Sequence, residues 1–274
     1  MPELPEVETI VGELITAPLI GQKIASAKVF WPRTIETPEA PTFCQQIQSQ
    51  TIQRITRRGK YILFTLTRQT LIVHLRMTGK FCITRDPAPR LHERVRLQLV
   101  DGRILHYIDQ RKFGKWGLYK NVEERLQSLG IEPLSEAFTL EILTQLAHTH
   151  PQRMKAFLLD QRHIAGLGNI YVDEALWMAQ IHPETHATQL SATQLQALFH
   201  AIPAVLRSGL ANKGTSLGAH RSNYARLGGQ QGINQDTLNV FRRQGEPCPR
   251  CKALIVKTIV AQRGTHLCPH CQKI

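Results

Sequence analysis

The chain of 274 residues contains no apolar run near the ~18 residues of a spanning helix, and no lysine-rich amphipathic stretch suited to a bilayer surface. Its acidic start lacks the basic and apolar regions of a secretory signal peptide. It has no internal repeat and no low-complexity tract, so a repeat architecture is not expected. No parallel βαβ unit surrounds its one glycine-rich helix start, which argues against a nucleotide-binding fold. Acids are scarce: 21 Asp and Glu face 34 Lys and Arg, a formal charge of +13, with a pI near 9.8. That excess points to a polyanionic partner. From Gln53 to Lys80 there are seven cations (Arg54, Arg57, Arg58, Lys60, Arg68, Arg76, Lys80) and no acid. A soluble, cytoplasmic protein facing nucleic acid, with no membrane partner, is expected.

Cysteine is also sparse. Of six, Cys44 and Cys82 are isolated and read as buried thiols. The others form Cys248-Pro-Arg-Cys251 and Cys268-Pro-His-Cys271, two CxxC pairs separated by 16 residues. In a cytosolic chain this spacing predicts one tetrahedral, structural Zn²⁺ rather than disulfides. A redox CxxC would need a thioredoxin-like strand–helix context, which is missing. Four thiolates fill the metal's coordination sphere and leave no open catalytic position.

The chain opens Met1-Pro2-Glu3-Leu4-Pro5-Glu6. Methionine before a small residue is normally trimmed, leaving Pro2 with a free secondary amine. α-Amino groups titrate near pH ~8, whereas lysine, near ~10.4, needs stronger tuning to become a nucleophile. A secondary amine condensed with an aldehyde carbon gives an iminium that cannot shed its charge, an electron sink for eliminations. Glu3 is placed to exchange the proton. A plainer reading stands beside this one. Val7, Ile10, Val11, Leu14 and Ile15 repeat as the buried face of a helix, and prolines and acids at its start are ordinary capping chemistry.

Farther on the period shortens to two. Strands are expected near 61–67, 71–75, 95–100, 103–108 and 115–119, with turns such as Asp101-Gly102, the pattern of an antiparallel sandwich. Helices are expected at 139–148, 153–161, 170–180 and 191–208, the last bent at Pro203. Residues 209–245 read as a mobile Gly-rich loop. Between the CxxC pairs, 254–260 and 265–267 read as two strands, with Arg263 at the tip about 20 Å from the metal. A guanidinium there is either a phosphate probe or a solvated turn residue. Asn169, in Gly166-Leu167-Gly168-Asn169-Ile170-Tyr171, is suited to cap a helix or to donate to a phosphate. Met77 and Phe113 sit at strand ends beside Arg76 and Arg111, as core residues or as wedges that enter a base stack.

The terminus PELPEVE, the run Arg57-Arg58-Gly59-Lys60-Tyr61, HLRMTG, DQRKFG, GLGNIY and the four-cysteine hairpin occur here in one order. Together they resemble bacterial formamidopyrimidine-DNA glycosylases, also called 8-oxoguanine DNA glycosylases, over nearly the whole chain. The resemblance implies an α+β multidomain fold. A catalytic β-sandwich domain with an N-terminal helix would span 1–132, a helix–two-turn–helix domain with a Gly-rich lesion loop 133–244, and a zinc finger 245–274. It implies a monomeric, nucleoid-associated base-excision-repair enzyme that acts on damaged double-stranded DNA as glycosylase and AP lyase. Pro2 would be the nucleophile and Glu3 the assisting acid. Lys60 would give the proton of β-elimination and Arg263 that of δ-elimination. Met77, Arg111 and Phe113 would fill the gap left by the flipped base, with Arg111 facing cytosine, and Asn169 would hold the backbone. Glu6 and His74 would support the site, and His92 and Arg153 would touch DNA. The stretch Gly214 to Gly245 does not match the family residue by residue.

Two other readings compete. Endonuclease VIII-type glycosylases, which act on oxidised pyrimidines, usually carry glycine where this chain has Leu4, and lack the Met77/Arg111/Phe113 combination. A DNA-binding protein that kept the scaffold without chemistry is opposed by intact Pro2 and Glu3.

Overall fold

The computed structural model describes residues 1–218 and 224–274. It divides into two compact units, one formed by Met1–Gln127 with Asn212–Gln235, the other by Ser128–Ala211 with Asp236–Ile274.

The first unit is a two-sheet sandwich behind an N-terminal helix. Helix α1 (Leu4–Thr16) buries Leu4, Val7, Ile10, Val11 and Leu14, the face its periodicity predicts. Ile15, expected on that face, is 42% exposed because it falls at the stripe's edge. The helix begins with a reciprocal capping box: the Glu3 N–H donates to Glu6 Oε2 at 2.8 Å, and the Glu3 carboxylate accepts from the Glu6 N–H. At the far end Arg103 donates to the carbonyls of Ala17 and Pro18, groups a helix terminus leaves unpaired.

One sheet orders β1 (Ile24–Val29), β7 (Glu93–Leu99), β8 (Ile104–Asp109) and β6 (Gly79–Thr84). The other orders β2 (Ile35–Thr37), β9 (Lys115–Tyr119), β5 (Thr70–His74), β4 (Tyr61–Leu66) and β3 (Ile52–Arg58). All pairings are antiparallel except β2 with β9. Period-two burial is clean in β4, where Ile62, Phe64 and Leu66 point inward. Between the sheets Phe64, Phe81, Tyr107 and Trp116 pack ring against ring at 5.1–6.1 Å. Such pairs add about 0.5–1.5 kcal/mol each beyond their buried area. The short helix α2 (Ala40–Ile47), not predicted, supplies Phe43 to this core. Cys44 and Cys82, expected buried, are partly exposed. Cys44, the residue after Phe43, packs at the edge of the core rather than within it.

Residues 212–218 and 224–235 form the expected loop, with a single 3-10 turn at Asn234–Thr237, and the loop is tied to α1. Arg226 and the Leu227 N–H both donate to Glu13 of α1, and the Thr215 N–H donates to Glu6 Oε1 at 2.8 Å. Tyr224 is buried beneath. Part of the lesion-loop expectation, 219–223, lies outside the described residues.

The second unit contains α4 (Leu140–Thr149), α5 (Met154–Leu159), α6 (Asn169–Met178) and α7 (Ala192–Ala211), after a short α3 (Glu123–Leu126) in the first. Helix α7 opens with a Ser191–Gln194 capping box and carries Pro203 within it. Helix α6 is buried on nearly every face, including Asp173 and Glu174. Glu174 takes four N–H donors, the backbones of Asn239, Val240 and Phe241 and the Asn239 amide, at 2.8–3.0 Å. The chain closes with a hairpin of β10 (Val256–Val260) and β11 (Arg263–Leu267). No helix among the described residues is long and apolar enough to cross a membrane.

Helices α6 and α7 touch through Gly209. A Cβ there would lie 2.4 Å from the Tyr171 hydroxyl and 2.6 Å from its ring, which is itself buried. Replacing a helical glycine with alanine gains about 0.8–1.0 kcal/mol of propensity, against an overpacking cost of about 1–3 kcal/mol. The clash wins, and Gly209→Ala should lower the thermal midpoint of the protein; a raised midpoint would show that Tyr171 yields freely.

Candidate active site

The amino terminus is enclosed. Pro2, Glu3 and Glu6 are buried, with Met1 partly so. Burial pulls the Met1 ammonium below its ordinary value of 8.0; Lys60 and Arg111 pull the same way, while Glu3 and Glu6 oppose them. These surroundings therefore disfavour the charged form of the amine and set it among two carboxylates and two cations. The Glu3 carboxylate caps α1, as the plainer reading expects, and its charge also acts on the terminal amine.

Lys60 reaches this place through a two-residue turn. Arg58 pairs with Tyr61, so Gly59 and Lys60 form the turn of the β3–β4 hairpin. Gly59 has φ 55°, the glycine conformation favoured at the first central position of a type II′ turn. Arg57 braces the turn from outside: its Nη1 donates to the Gly59 carbonyl at 3.0 Å and its Nε to Glu8 of α1 at 2.7 Å. Lys60 itself is buried. The brace needs Glu8 on α1 beside β3, a long-range contact invisible to local sequence patterns.

His74 ends β5 opposite Tyr61, whose ring meets its own edge to face at 4.7 Å. Burial, then the charges of Arg76, Lys60 and Arg125, push the imidazole down from 6.5 to about 3. The Arg76 N–H donates to its Nδ1 at 3.0 Å. The ring proton thus sits on Nε2, making His74 a neutral donor.

Met77, His92, Arg111 and Phe113 occupy the strand-end loops of the same sandwich. Phe113 is 48% exposed and Met77 partly buried, so neither belongs to the core proper. The Arg111 guanidinium lies 4.7 Å from the centroid of the Phe113 ring. Lys112 between them adopts φ 61° and folds back over Trp31 at 4.0 Å. His92 is likewise left-handed, at φ 63°.

The second unit gathers Asn169 and Arg263. Gly168, not Asn169, holds the cap position of α6. The Asn169 amide instead donates to the Gly264 carbonyl at 2.9 Å, which also accepts from Lys155 Nζ at 3.2 Å. Lys155 is wholly buried against Asp173 at 2.6 Å, and Asp173 accepts the His266 N–H at 2.9 Å. Arg263, next to Gly264, is exposed beside the turn Ala261–Gln262, whose φ values of 50° and 57° are those of a type I′ turn. The Lys155–Asp173 pair escaped sequence reading because neither residue stands in a metal or nucleophile pattern. Arg153 pairs with Glu184 at 2.6 Å on the surface. An exposed pair of this kind holds weakly, and so remains available to a stronger anion.

The sulfurs of Cys248, Cys251, Cys268 and Cys271 lie within 4.8 Å of one another. Cys248 and Cys271 stand 4.0 Å apart, Cys251 and Cys268 3.4 Å. Tetrahedral Zn–S bonds of about 2.3 Å require sulfurs about 3.8 Å apart, so the four fit one zinc ion. Burial and the three surrounding sulfurs push the Cys271 thiol up to about 12, a crowding that a dication relieves. The site is closed and structural.

A sandwich enclosing an amino terminus, a helical unit and a four-cysteine hairpin define the class: a zinc-finger DNA glycosylase. The chain matches the models of the formamidopyrimidine-DNA glycosylase N-terminal domain over residues 1–116, the H2TH domain of the same enzymes over 129–220, and the zinc finger found in FPG and IleRS over 245–274. It is 50% identical to the formamidopyrimidine-DNA glycosylase of Protochlamydia amoebophila, covering 100% of both chains. With that of Enterococcus faecalis it shares 44%, covering 100% of this chain and 98% of the relative. A Lactococcus lactis Fpg (MutM) structure, solved with DNA containing N7-benzyl-Fapy-dG, superposes with a TM-score of 0.91 at 39% identity over 100% of both chains. The chain belongs to the formamidopyrimidine-DNA glycosylase family, whose members are base-excision-repair glycosylases and AP lyases.

Two outcomes test this geometry. The folded His74 takes a proton only near pH 3 and the unfolded one near 6.5. Its contribution to stability is therefore complete above 6.5 and declines as pH falls, by about 1.4 kcal/mol per unit. In NMR spectra the His74 ring should stay flat between about pH 8 and 5; a midpoint near the ordinary value would contradict the burial argument. Trp177 Nε1 donates to Cys248 Sγ at 3.4 Å. Stripping zinc with a chelator should therefore change tryptophan emission, and Trp177→Phe should abolish the change.

Proposed function

We propose that this chain excises oxidised purines, 8-oxoguanine and formamidopyrimidines, from duplex DNA and then cuts the strand, with Pro2 as nucleophile. The observation that carries this is the enclosed terminal amine, lowered in pKa and flanked by Glu3, Glu6 and Lys60. Met1 is still attached here; its removal transfers the free amine to buried Pro2, one residue deeper in the same field. Damaged DNA as partner follows from the family, and the excess of 34 cations over 21 acids suits a phosphate backbone. The protein works as a monomer on nucleoid DNA in the cytoplasm.

A stacked base hides its sugar carbon, so the nucleotide is first flipped out. Met77 and Phe113 take the vacated space and Arg111 meets the orphaned cytosine, offsetting an unstacking cost of a few kcal/mol. His92, Arg153, Asn169 and the Nε2–H of His74 hold the backbone without reading sequence. The Pro2 nitrogen then forms a bond to C1′ as the C1′–base bond breaks, and the base departs with a proton. Glu3 protonates the ring oxygen as the sugar opens, leaving an iminium between Pro2 and C1′. The Glu3 carboxylate, deprotonated by the ring opening, takes a C2′ proton; the electron pair left on C2′ breaks the C3′–O bond, and the departing 3′ phosphate takes a proton from Lys60. A second elimination breaks the C5′–O bond, assisted by Arg263. Water then hydrolyses the iminium and frees the amine. The zinc ion, held by the four cysteines, supplies no chemistry beyond keeping the Arg263 hairpin rigid.

Borohydride should trap one covalent complex with an 8-oxoguanine:cytosine duplex, and peptide mass mapping should place it on Pro2. Pro2→Gly should reduce excision by at least about 100-fold, the scale of losing a positioned catalytic group. An adduct that persists undiminished and maps to another residue would overturn the assignment. Strong preference for thymine glycol over 8-oxoguanine would move the substrate to pyrimidines.

A further inference from the structure

Four of the residues assigned to DNA, Met77, His92, Arg111 and Phe113, stand on three loops far apart in sequence. All three loops converge on one buried residue, Asp109 at the end of β8, whose carboxylate bonds two of them and whose backbone bonds the third. Its Oδ1 accepts from the Thr78 hydroxyl at 2.5 Å and from the Arg111 N–H at 3.2 Å. Its Oδ2 accepts from the Gly114 N–H at 2.8 Å. Its own N–H donates to the His92 carbonyl at 3.0 Å. Its carbonyl accepts from Arg94 Nε at 2.8 Å, and Arg94 also lies 3.5 Å from His92 Nδ1. The single residue therefore grips the residue after Met77, both ends of the Arg111–Phe113 loop, and the His92 segment.

Only one of these bonds is local. An Asp that accepts the N–H two residues on makes an ordinary Asx-turn, which neutral Asn makes equally well. Burying a carboxylate costs several kcal/mol unless its lone pairs are satisfied. Here the charge is matched by three converging donors, two from the 111–114 loop and one from the loop of Met77. Close packing completes the joint. A Cβ at Gly79 would lie 2.3 Å from the Tyr107 hydroxyl, and one at Gly114 only 1.6 Å. At both glycines the Tyr107 ring fills the space that a side chain would need.

We propose that Asp109 is a positioning residue that sets Met77, His92, Arg111 and Phe113 in one fixed relation, and thereby governs base flipping and the choice of opposite base. This rests on the reading of Met77, Arg111 and Phe113 as the gap-filling trio. Asn at position 109 keeps the shape but exchanges one acceptor for a donor. With its NH₂ toward Gly114 the amide leaves that N–H without an acceptor; with its NH₂ toward Arg111 it reverses the Thr78 bond and leaves the Arg111 N–H only the Thr78 oxygen, 3.2 Å away.

The test uses the full-length, zinc-loaded protein with Met1 removed. Flipping is followed by the fluorescence of 2-aminopurine next to an 8-oxoguanine. Single-turnover excision is measured opposite cytosine and opposite adenine, and strand cleavage at a preformed abasic site, which needs no unstacking. Asp109→Asn should slow flipping and excision about 10- to 100-fold, the range set by losing a hydrogen bond to a charged group. It should also shift the cytosine-to-adenine ratio toward one and leave abasic-site cleavage within about threefold, because Pro2 and Lys60 are untouched. Unchanged flipping and an unchanged opposite-base ratio would overturn the proposal, as would an equal loss on the abasic site. If Asp109→Asn does not fold, Thr78→Val breaks the tie to the Met77 loop and decides in the same way, with Thr78→Ser expected to restore it. Met77→Ala and Phe113→Ala serve as the separate control. If they leave flipping intact, the gap-filling reading itself fails, whereas impaired controls beside a normal Asp109→Asn would sink this inference alone.

Discussion

The carboxylate of Glu6 is the constraint on which the rest of the site depends. One oxygen accepts the Glu3 N–H and starts α1; the other accepts the Thr215 N–H from the far end of the chain. The first bond fixes where the amino terminus leaves the helix. The second requires a backbone that approaches without a side chain, and Gly214 meets that need at φ 84°, where a Cβ would lie 2.9 Å from Glu6. A terminus is normally the loosest part of a chain. Here it is held from two sides, the fixed placement that the proposed covalent catalysis by a terminal amine requires.

Buried acids recur as the device that joins distant segments. Glu174 collects four donors around residues 239–241, Asp173 ties Lys155 to the hairpin strand of His266, and Asp109 joins three loops. Burial of a carboxylate without partners is costly, so each of these acids forces its donors into place. The surface can remain strongly basic for the DNA backbone while these buried acids work in the interior. The zinc hairpin follows the same logic with a metal: a short segment that buries little apolar surface is held by four thiolates instead.

Much of this was legible locally. The α1 stripe, the alternation in β4 and the CxxC spacing each encode their own geometry within a few residues, and their elements stand where the periodicity places them. Helix α2 and strands β1–β3 and β6 were missed because their burial depends on neighbours across the sandwich rather than on a repeating pattern. The Gly-rich stretch carries no periodic signal, and composition alone suggested a loop; that Glu6 and Glu13 anchor it at Thr215, Arg226 and Leu227 is a long-range fact. Asn169 has the right residue type for a cap, yet Gly168 takes the cap position and the Asn169 amide donates to the Gly264 carbonyl.

From residue order alone came the kinds of chemistry available: an amine at position 2, a thiolate set for zinc, a cationic stretch for phosphate, and apolar tips beside arginines. These depend on residue type and short spacing, which a linear string records completely. Whether the amine is neutral, which ring nitrogen of His74 holds the proton, and how Met77, His92 and Arg111 come to share one anchor were decided only by folding. Those properties arise from burial and from charges brought together across long sequence separations, and no local pattern contains them.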